Sequence, residues 1–472
     1  MIVDRYEPVN LFALVPKLVS DFEPVLRELD RLLDDDVVVQ CIKADMSRRH
    51  RHSLSRGRPS TPVEVVLRLL VVKRLYGWSY EQVEHFVADS LVLRHFCRVY
   101  LRPVPDDTTL MRWANLIGPQ TVAQLNDRVV QLARQRRVTR GRKLRVDSTV
   151  VETTIHHPTD SRILGDGVRV LSRLLRRTKR VLGDTANLGS RVFQTHTRSV
   201  RRIAQQVHRL ARRKGDAAAA DMQQAYRRLL AVATQTVRQA RRVGLLLRTH
   251  GGPIAERLVR QFDVFLPRME QAITQADRRV LRGEAVPAKE KLVSLFEPHT
   301  QVIQRQKPGK AVEFGRKLWL DEVDGGIVSR YAVLNEAGLD HPHLAASLTG
   351  HQQQFGHPPW LLAGDRGVFS PANETRAEQV GVKRIVLPVV GNATPEQRQR
   401  ERTGWFRRGF RFRAGIEGRI SVLRRCYGLD RCRDHGADGM GRWVGWGIVT
   451  ANLVTTARTV AQHTATPAAR AS

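Results

Sequence analysis

Cysteine is scarce, with four in 472 residues, which excludes a disulfide-built scaffold. Long apolar runs are missing too, since none reaches the roughly 18–20 residues a membrane-spanning helix needs. Acidic residues are in deficit: 46 Asp and Glu stand against 79 Lys and Arg, a formal net charge of +33. No Gly-x4-Gly-Lys-Ser/Thr loop occurs, so no ATP dependence is read. Gly325-Gly326 reads as a hairpin turn rather than a phosphate loop. Met1 to Phe12 carries Asp4 and Glu7 and lacks a basic stretch followed by an apolar core, so it does not read as a signal peptide. Cys426, Cys432 and His435 are loosely spaced like zinc ligands, but a structural zinc wants four, and only Cys41 and Cys97 remain. Free thiols are expected. There is no internal repeat.

What is present is a hydrophobic fraction of 42%, ample for a large core and for about three domains of ordinary size. The basic excess points to a polyanionic partner, nucleic acid before a membrane surface.

Up to about Arg137 the chain reads as helical. Val63, Val66, Leu67, Leu70 and Val71 recur on one helical face. Gly77 and Trp78 break that helix, and Ser79 with Gln82 has capping-box spacing for the next. A third apolar run covers Leu91 to Tyr100. Pro103, Pro105, Asp106 and Asp107 then make a turn, with Asp107 placed to cap a last helix carrying Leu110, Trp113 and Ile117. Short helices, tight turns and flanking arginines fit a helix-turn-helix-like DNA reader and equally a plain helical docking domain. Arg142 to Val151 changes character: Leu144 and Val146 alternate with polar residues as in a strand, with Asp147 on the other face.

From Arg169 to Pro287 the pattern is helical again, and between Arg169 and His250 there are 20 Lys and Arg against 3 Asp. The arginines include Arg176, Arg177, Arg201 and Arg202. Such a run is either a solvated face or a phosphate-binding one. Its one-sidedness favours phosphate, because like charges repel unless an anion lies against them. After a proline-punctuated stretch, Lys317 to Asp321 and Ile327 to Leu334 form a hairpin, His341 to Phe355 a helix, and Pro359 to Ala363 a strand ending at Gly364-Asp365-Arg366-Gly367. A short helix (Asn373 to Val380), a strand (Val382 to Leu387) and a polar loop (Asn392 to Arg402) follow. Arg413 to Tyr427 and Met440 to Val460 are helices, and the Ala/Thr-rich tail from Gln462 reads as frayed.

Three acids stand out by position: Asp147 within a strand, Asp365 just past a strand end, and Glu417 on a helix. At 100° per residue Arg413, Glu417 and Arg424 fall within about 40° of one another, beside the apolar stripe of Ile416, Ile420, Leu423 and Tyr427. Phosphodiester cleavage needs an activated hydroxyl and charge stabilisation on the attacking and leaving oxygens. Clustered carboxylates can supply both by holding two Mg²⁺ or Mn²⁺ ions, with arginines gripping phosphates beside them. Glu152 and Asp166 are rival ligands, and His156, His157 and Asp160 follow the first strand closely enough to line such a site or to pack a turn around Pro158.

The segments Val146-Asp147-Ser148-Thr149-Val150-Val151-Glu152, His156-His157-Pro158-Thr159-Asp160-Ser161 and Gly364-Asp365-Arg366-Gly367, together with the glutamate helix, carry a resemblance. On them the chain resembles the DDE transposases of bacterial insertion sequences, most closely the ISNCY group. Phe410-x2-Arg413-x3-Glu417-x6-Arg424 stands where the family has Tyr-x2-Arg-x3-Glu-x6-Lys. Phe410 therefore lacks the hydroxyl, and Arg424 keeps the charge but changes the donor geometry. Pro62 to Trp113, including Pro105-Asp106-Asp107-Thr108-Thr109, also looks like the helical domain of these enzymes.

The resemblance implies an α/β fold: an RNase H-like mixed-sheet catalytic domain with a large helical insertion and an N-terminal all-α, helix-turn-helix-like domain. The expected boundaries are 1–137 for the helical domain, 138–168 and 311–460 for the two parts of the catalytic domain, 169–310 for the insertion, and 461–472 for a disordered tail. It implies cleavage at insertion-sequence ends and strand transfer into target DNA, with Asp147, Asp365 and Glu417 as catalytic residues and ligands of two Mg²⁺ (or Mn²⁺) ions. Arg413, Arg424 and Arg366 join Arg176, Arg177, Arg201 and Arg202 as expected DNA contacts. The expected partners are double-stranded DNA, as terminal inverted repeats and target, and a second copy of the chain on that DNA. The expected location is the bacterial cytoplasm, at the nucleoid, with no membrane. The rival readings are a nuclease of the same fold without strand transfer and a non-catalytic DNA-binding repressor.

Overall fold

The computed structural model describes residues 2–5, 23–182, 193–307, 310–389 and 391–468. Two compact units emerge, one of residues 1–153 with 316–472, the other of 154–315. The first opens with seven helices: α1 Pro24–Leu33, α2 Asp36–Ser47, α3 Val63–Tyr76, α4 Tyr80–Asp89, α5 Leu91–Phe96, α6 Asp107–Leu116 and α7 Pro119–Gln135. Helix α3 ends at Gly77, whose φ of 70° is the left-handed conformation that glycine adopts without strain. The Ser79–Gln82 capping box starts α4. Helix α6 is capped by Asp106 rather than Asp107, because the Asp106 carboxylate reaches the Thr109 N–H while Asp107 is already helical. Helix α3 is buried nearly all round, and its Arg68 guanidinium is fully enclosed by Glu64, Asp30, Asp34 and the Phe96 carbonyl.

Strand β1 (Lys143–Thr153) follows. The second unit then holds helices α8 Asp160–Leu182, α9 Thr197–Leu210, α10 Asp216–His250 and α11 Pro253–Ala276 around a core of its own that includes Leu171, Leu229, Val243 and Phe262. Strand β2 (Gln301–Lys307) pairs antiparallel with the first half of β3 (Lys310–Val323). Its polar, proline-flanked sequence carries no apolar alternation, so only pairing reveals it as a strand.

The first unit resumes with the hairpin of β3 and β4 (Ile327–Val333), turning at Gly325 and Gly326. Helix α12 (Leu344–Phe355), strand β5 (Leu361–Ala363), helix α13 (Pro371–Gln379) and strand β6 (Arg384–Val386) follow. The expected polar loop contains a helix, α14 (Pro395–Arg402), begun by a Thr394–Gln397 capping box. None of its residues is buried, so it has no apolar stripe by which periodicity could find it. Helix α15 (Gly404–Tyr427) starts well before Arg413, with the Thr403 side chain accepting from the Phe406 N–H. Strand β7 (Arg431–Cys432) leads to α16 (Gly436–Ala468), which runs on past Gln462, where composition predicts fraying. Among the described residues no helix is long and apolar enough to cross a membrane.

The fold is therefore mixed α/β, mostly helical, around a mixed sheet. In the first unit the sheet runs β3–β1–β5–β6, with β4 on β3 and β7 on β1. Strands β1, β5 and β6 are parallel, and β4 is antiparallel to β3. Its two faces bury different cores. Leu144, Val146, Trp319 and Leu362 face one side with α12. Val151, Leu318 and Leu320 face the other, where they share a single core with α1–α6 and the tryptophans of α16. The outer edge of β4 is closed by a buried amide: Asn452 accepts from the Val328 N–H at 2.9 Å and donates to the Val328 carbonyl and to Asn126.

One buried carboxylate sets α15 against the sheet. Glu322 on β3, fully enclosed, accepts two 2.7 Å bonds from Arg145 of β1 and one of 3.3 Å from Arg419 of α15. Arg145 also donates to the Phe412 carbonyl of α15, and a Cβ at Gly415 would meet its guanidinium at 2.2 Å. Glycine at 415 is thus what lets the arginine cross under the helix. Glu322→Gln keeps the volume and removes the charge, leaving two largely buried guanidiniums without their counter-charge. Breaking a buried pair this way costs about 3–5 kcal/mol, so urea unfolding should show a loss of that size.

Candidate active site

Because side chains alternate along β1, the residues next to Leu144 and Val146 point to the α15 side, and these are Arg145 and Asp147. Asp147 is 8% exposed. Asp365 lies just beyond β5, the parallel neighbour of β1, and its side chain caps the 3₁₀ turn Arg366–Val368 by accepting from the Val368 N–H at 3.1 Å. Glu417 sits one turn after Arg413 on α15, with its side chain 68% exposed. The Arg413 guanidinium joins all three: Nη2 lies 3.0 Å from Asp147 Oδ2 and 3.9 Å from Asp365 Oδ2, and Nη1 lies 3.0 Å from Glu417 Oε1. Three acids 218 and 52 positions apart in sequence thus share one cation.

Burial pushes the Asp147 carboxyl up to about 6, and the nearby charges of Asp365 and Asp340 add to that. Arg413 and the Ser148 N–H pull the other way without prevailing. Asp340 escaped the sequence reading. It accepts from Ser148 Oγ at 3.1 Å and lies 2.9 Å from the Lys317 ammonium. It sits in an irregular segment after the β3–β4 hairpin, where no strand or helix pattern marks it. The other positioning residues missed were Arg145, Glu322 and Arg419, whose alliance no local pattern announces.

Among the described residues no three Asp, Glu, His or Cys side chains stand in a metal-holding arrangement. Arg413 supplies the positive charge between the acids. The donors themselves are carboxylate oxygens, the set that hard divalent cations take.

Glu152 pairs with Arg431 at 2.8 Å, across the β1–β7 pairing. Asp166 pairs with Arg169 on α8 in the second unit. Asp160 is buried at the start of α8, where it accepts from Gln275 and Arg279 at 2.7 Å each, a structural use of that carboxylate. His157 packs edge-on against Phe314. Arg366 is exposed beside Asp365. Arg424, two turns beyond Glu417, is held by Asp430 at 2.7 Å. Arg176, Arg177, Arg201 and Arg202 are exposed on α8 and α9 with no acidic partner among the described residues. The four cysteines are free thiols.

The raised Asp147 carboxyl gives a pH signature. Its value of about 6 in the fold exceeds the ordinary 3.8, so the folded chain holds a proton there that the unfolded chain has lost. The stability from that proton is full below about pH 4 and disappears as pH rises to about 6. At roughly 1.36 kcal/mol per unit this is about 3 kcal/mol. Asp147→Asn carries no such titration. Measured by urea unfolding in chelator, its stability relative to the native chain should rise by about 2–3 kcal/mol between pH 4 and pH 7. A pH-independent difference would refute the burial argument.

Residues 15–116 match the family model of a transposase domain (DUF772). The matched span ends with α6, so it bears on the helical part and not on the acids. Over 161 residues the chain is 29% identical to the uncharacterized protein ORF8 in the nfe locus of Rhizobium meliloti, covering 33% of this chain and 73% of that protein. No solved structure matches. These matches support a transposase of insertion-sequence elements, the family that the sequence resembles.

Proposed function

We propose that the chain is a DDE transposase that cleaves DNA at the ends of an insertion sequence and joins the freed 3′-hydroxyls to target DNA. The observation that carries this is the meeting of Asp147, Asp365 and Glu417 around one guanidinium. The sheet supports it as well. Without β2, the first, fourth and fifth strands are parallel neighbours and the second and third form a hairpin on the other side of the first. This order is compatible with the RNase H-like core we propose, in which the first acid would lie on the central strand and the second at the end of its parallel neighbour.

Asp147, Asp365 and Glu417 would hold two Mg²⁺ (or Mn²⁺) ions, which when bound supply activation of the attacking hydroxyl and stabilisation of the leaving oxygen. The chain's own groups do the rest. Arg413 offsets part of the acids' charge in the free protein and is the cation paired with them that a phosphate can claim. Exposed Arg366 lies beside Asp365 for the same use. The arginines of α8 and α9 grip the backbone at a distance, fixing position without reading sequence. Holding two element ends together calls for two copies of the chain on the DNA.

The decisive assay uses a labelled duplex carrying an element end and a second reaction with the end already cut. Asp147→Asn, Asp365→Asn and Glu417→Gln should each lower metal-dependent cleavage about 100-fold or more, the several kcal/mol that an active-site metal contributes. Unchanged cleavage in any of them would remove that residue from the triad. Strand transfer of the pre-cut end separates a transposase from a nuclease. Absence of both activities, with binding retained, would leave the repressor reading.

Changing Arg176, Arg177, Arg201 and Arg202 together to alanine should flatten the plot of log affinity against log salt, by about 0.9 for each phosphate that is no longer neutralised. An unaltered slope would return those residues to a solvated face.

A further inference from the structure

A cleft of about 990 Å³ opens in the first unit beyond the C-terminal end of the glutamate helix. Its walls come from the α3–α4 turn, the last turn of α15, the β7 segment and the start of α16. Arg424 on its wall is seven residues after Glu417, about 10 Å along the helix.

Seven Lys and Arg side chains line the cleft against two aspartates, Asp430 and Asp434. Asp430 is already taken by Arg424, and Arg431 is paired with Glu152. Lys73, Arg74 and Arg433 have no acidic group in ion-pair contact among the described residues. The Lys73 ammonium instead sits over the rings of Tyr80 and Trp443, 4.4 and 5.4 Å from their centroids. Arg74 is buried, stacks at 3.6 Å over Trp443 and donates to its carbonyl. Burial and mutual repulsion lower Lys73 to about 8, and burial lowers Arg74 to about 10. The charge of Asp434 offsets part of this without making an ion pair with either cation; two adjacent desolvated cations sharing one carboxylate remain costly, and an anion entering the cleft relieves that cost.

A ladder of aromatic rings leads outward from the same wall. Trp78, which lines the cleft, stacks on Tyr76 at 4.5 Å with the planes 20° apart, and lies 4.7 Å from Phe86. Tyr76 is 46% exposed and Phe86 39%. Rings offered to solvent beside an excess of cations form the surface on which unpaired bases stack while their phosphates meet charge. An apolar protein partner would gain from the rings and lose from the desolvated cations. A cavity of this volume suits one or two nucleotides and not a duplex.

We propose that this cleft takes an unpaired stretch of DNA, its base stacked on the Trp78–Tyr76–Phe86 ladder and its phosphate against Lys73 and Arg74. This rests on the reading of the chain as a DNA-cleaving enzyme and adds to it where the strand goes next. An end that frays or is cut near Glu417 is received two helical turns away, which keeps it from re-pairing.

The test is fluorescence anisotropy of the full chain in chelator at constant salt, with a labelled twelve-nucleotide oligothymidylate and a duplex of equal length. Trp78→Ala, Tyr76→Ala and Lys73→Met should each weaken single-strand binding about tenfold and leave duplex binding within twofold. Trp78→Phe should retain most of the affinity. Tyr76 is exposed, so its variant reports even if a Trp78 variant fails to fold. Single-strand affinity unchanged in Tyr76→Ala and Lys73→Met would overturn the proposal, as would equal losses for duplex and single strand. Competition by inorganic polyphosphate as strong as by the oligonucleotide would reduce the cleft to an anion site and overturn the stacking. Asp147→Asn should bind the single strand normally, so failure of the cleft and failure of the cleavage reading give different results.

Discussion

Glu322 holds the first unit in working order. Its carboxylate is enclosed between β1, β3 and α15 and is met by guanidiniums from two of them. A charge taken out of water must be compensated by close partners in good geometry, so the position of the helix is constrained by the acid beneath it. Arg145 precedes Asp147 by two residues on the same strand face, and Arg419 follows Glu417 by two on the same helix. Fixing the arginines fixes the acids. Gly415 completes the arrangement by leaving room for the Arg145 side chain.

Above that clamp the charges are arranged in the opposite sense. Below, one carboxylate binds two arginines in a dry site; above, one arginine serves three carboxylates at the rim. The upper group is under-neutralised: Asp147 is driven up by burial and by its acidic neighbours despite Arg413. Glu417, the third acid of the group, is largely open to solvent. A group of opposite sign lies beyond the last turn of α15, where Lys73 and Arg74 of α3 line a cleft with seven basic side chains against two aspartates.

Much of this was legible in the residues. The capping box at Ser79, the hairpin at Gly325-Gly326, the strand end before Asp365 and the buried stripe of Ile416, Leu423 and Tyr427 each carry a local signature. Helix α14 and strand β2 did not show, because neither has the apolar period by which elements are recognised. The cap of α6 fell one residue early because two adjacent aspartates are equivalent in sequence and only backbone geometry separates them. Asp340 was invisible for a related reason: it comes near Asp147 from an irregular segment, by way of Ser148 and Lys317.

By itself the sequence determined the charge and those helical and strand segments that carry an apolar period or a cap, since these depend on neighbours within a turn or a pleat. Tertiary structure alone decided that Arg413 would pair with Asp147, Asp365 and Glu417, that Glu322 would lie beneath them, and that an excess of cations would gather beside a row of exposed rings. Pairings between residues hundreds of positions apart leave no period in a chain. They arise only when burial selects which side chains share a dry space, and the matching of charges is settled there.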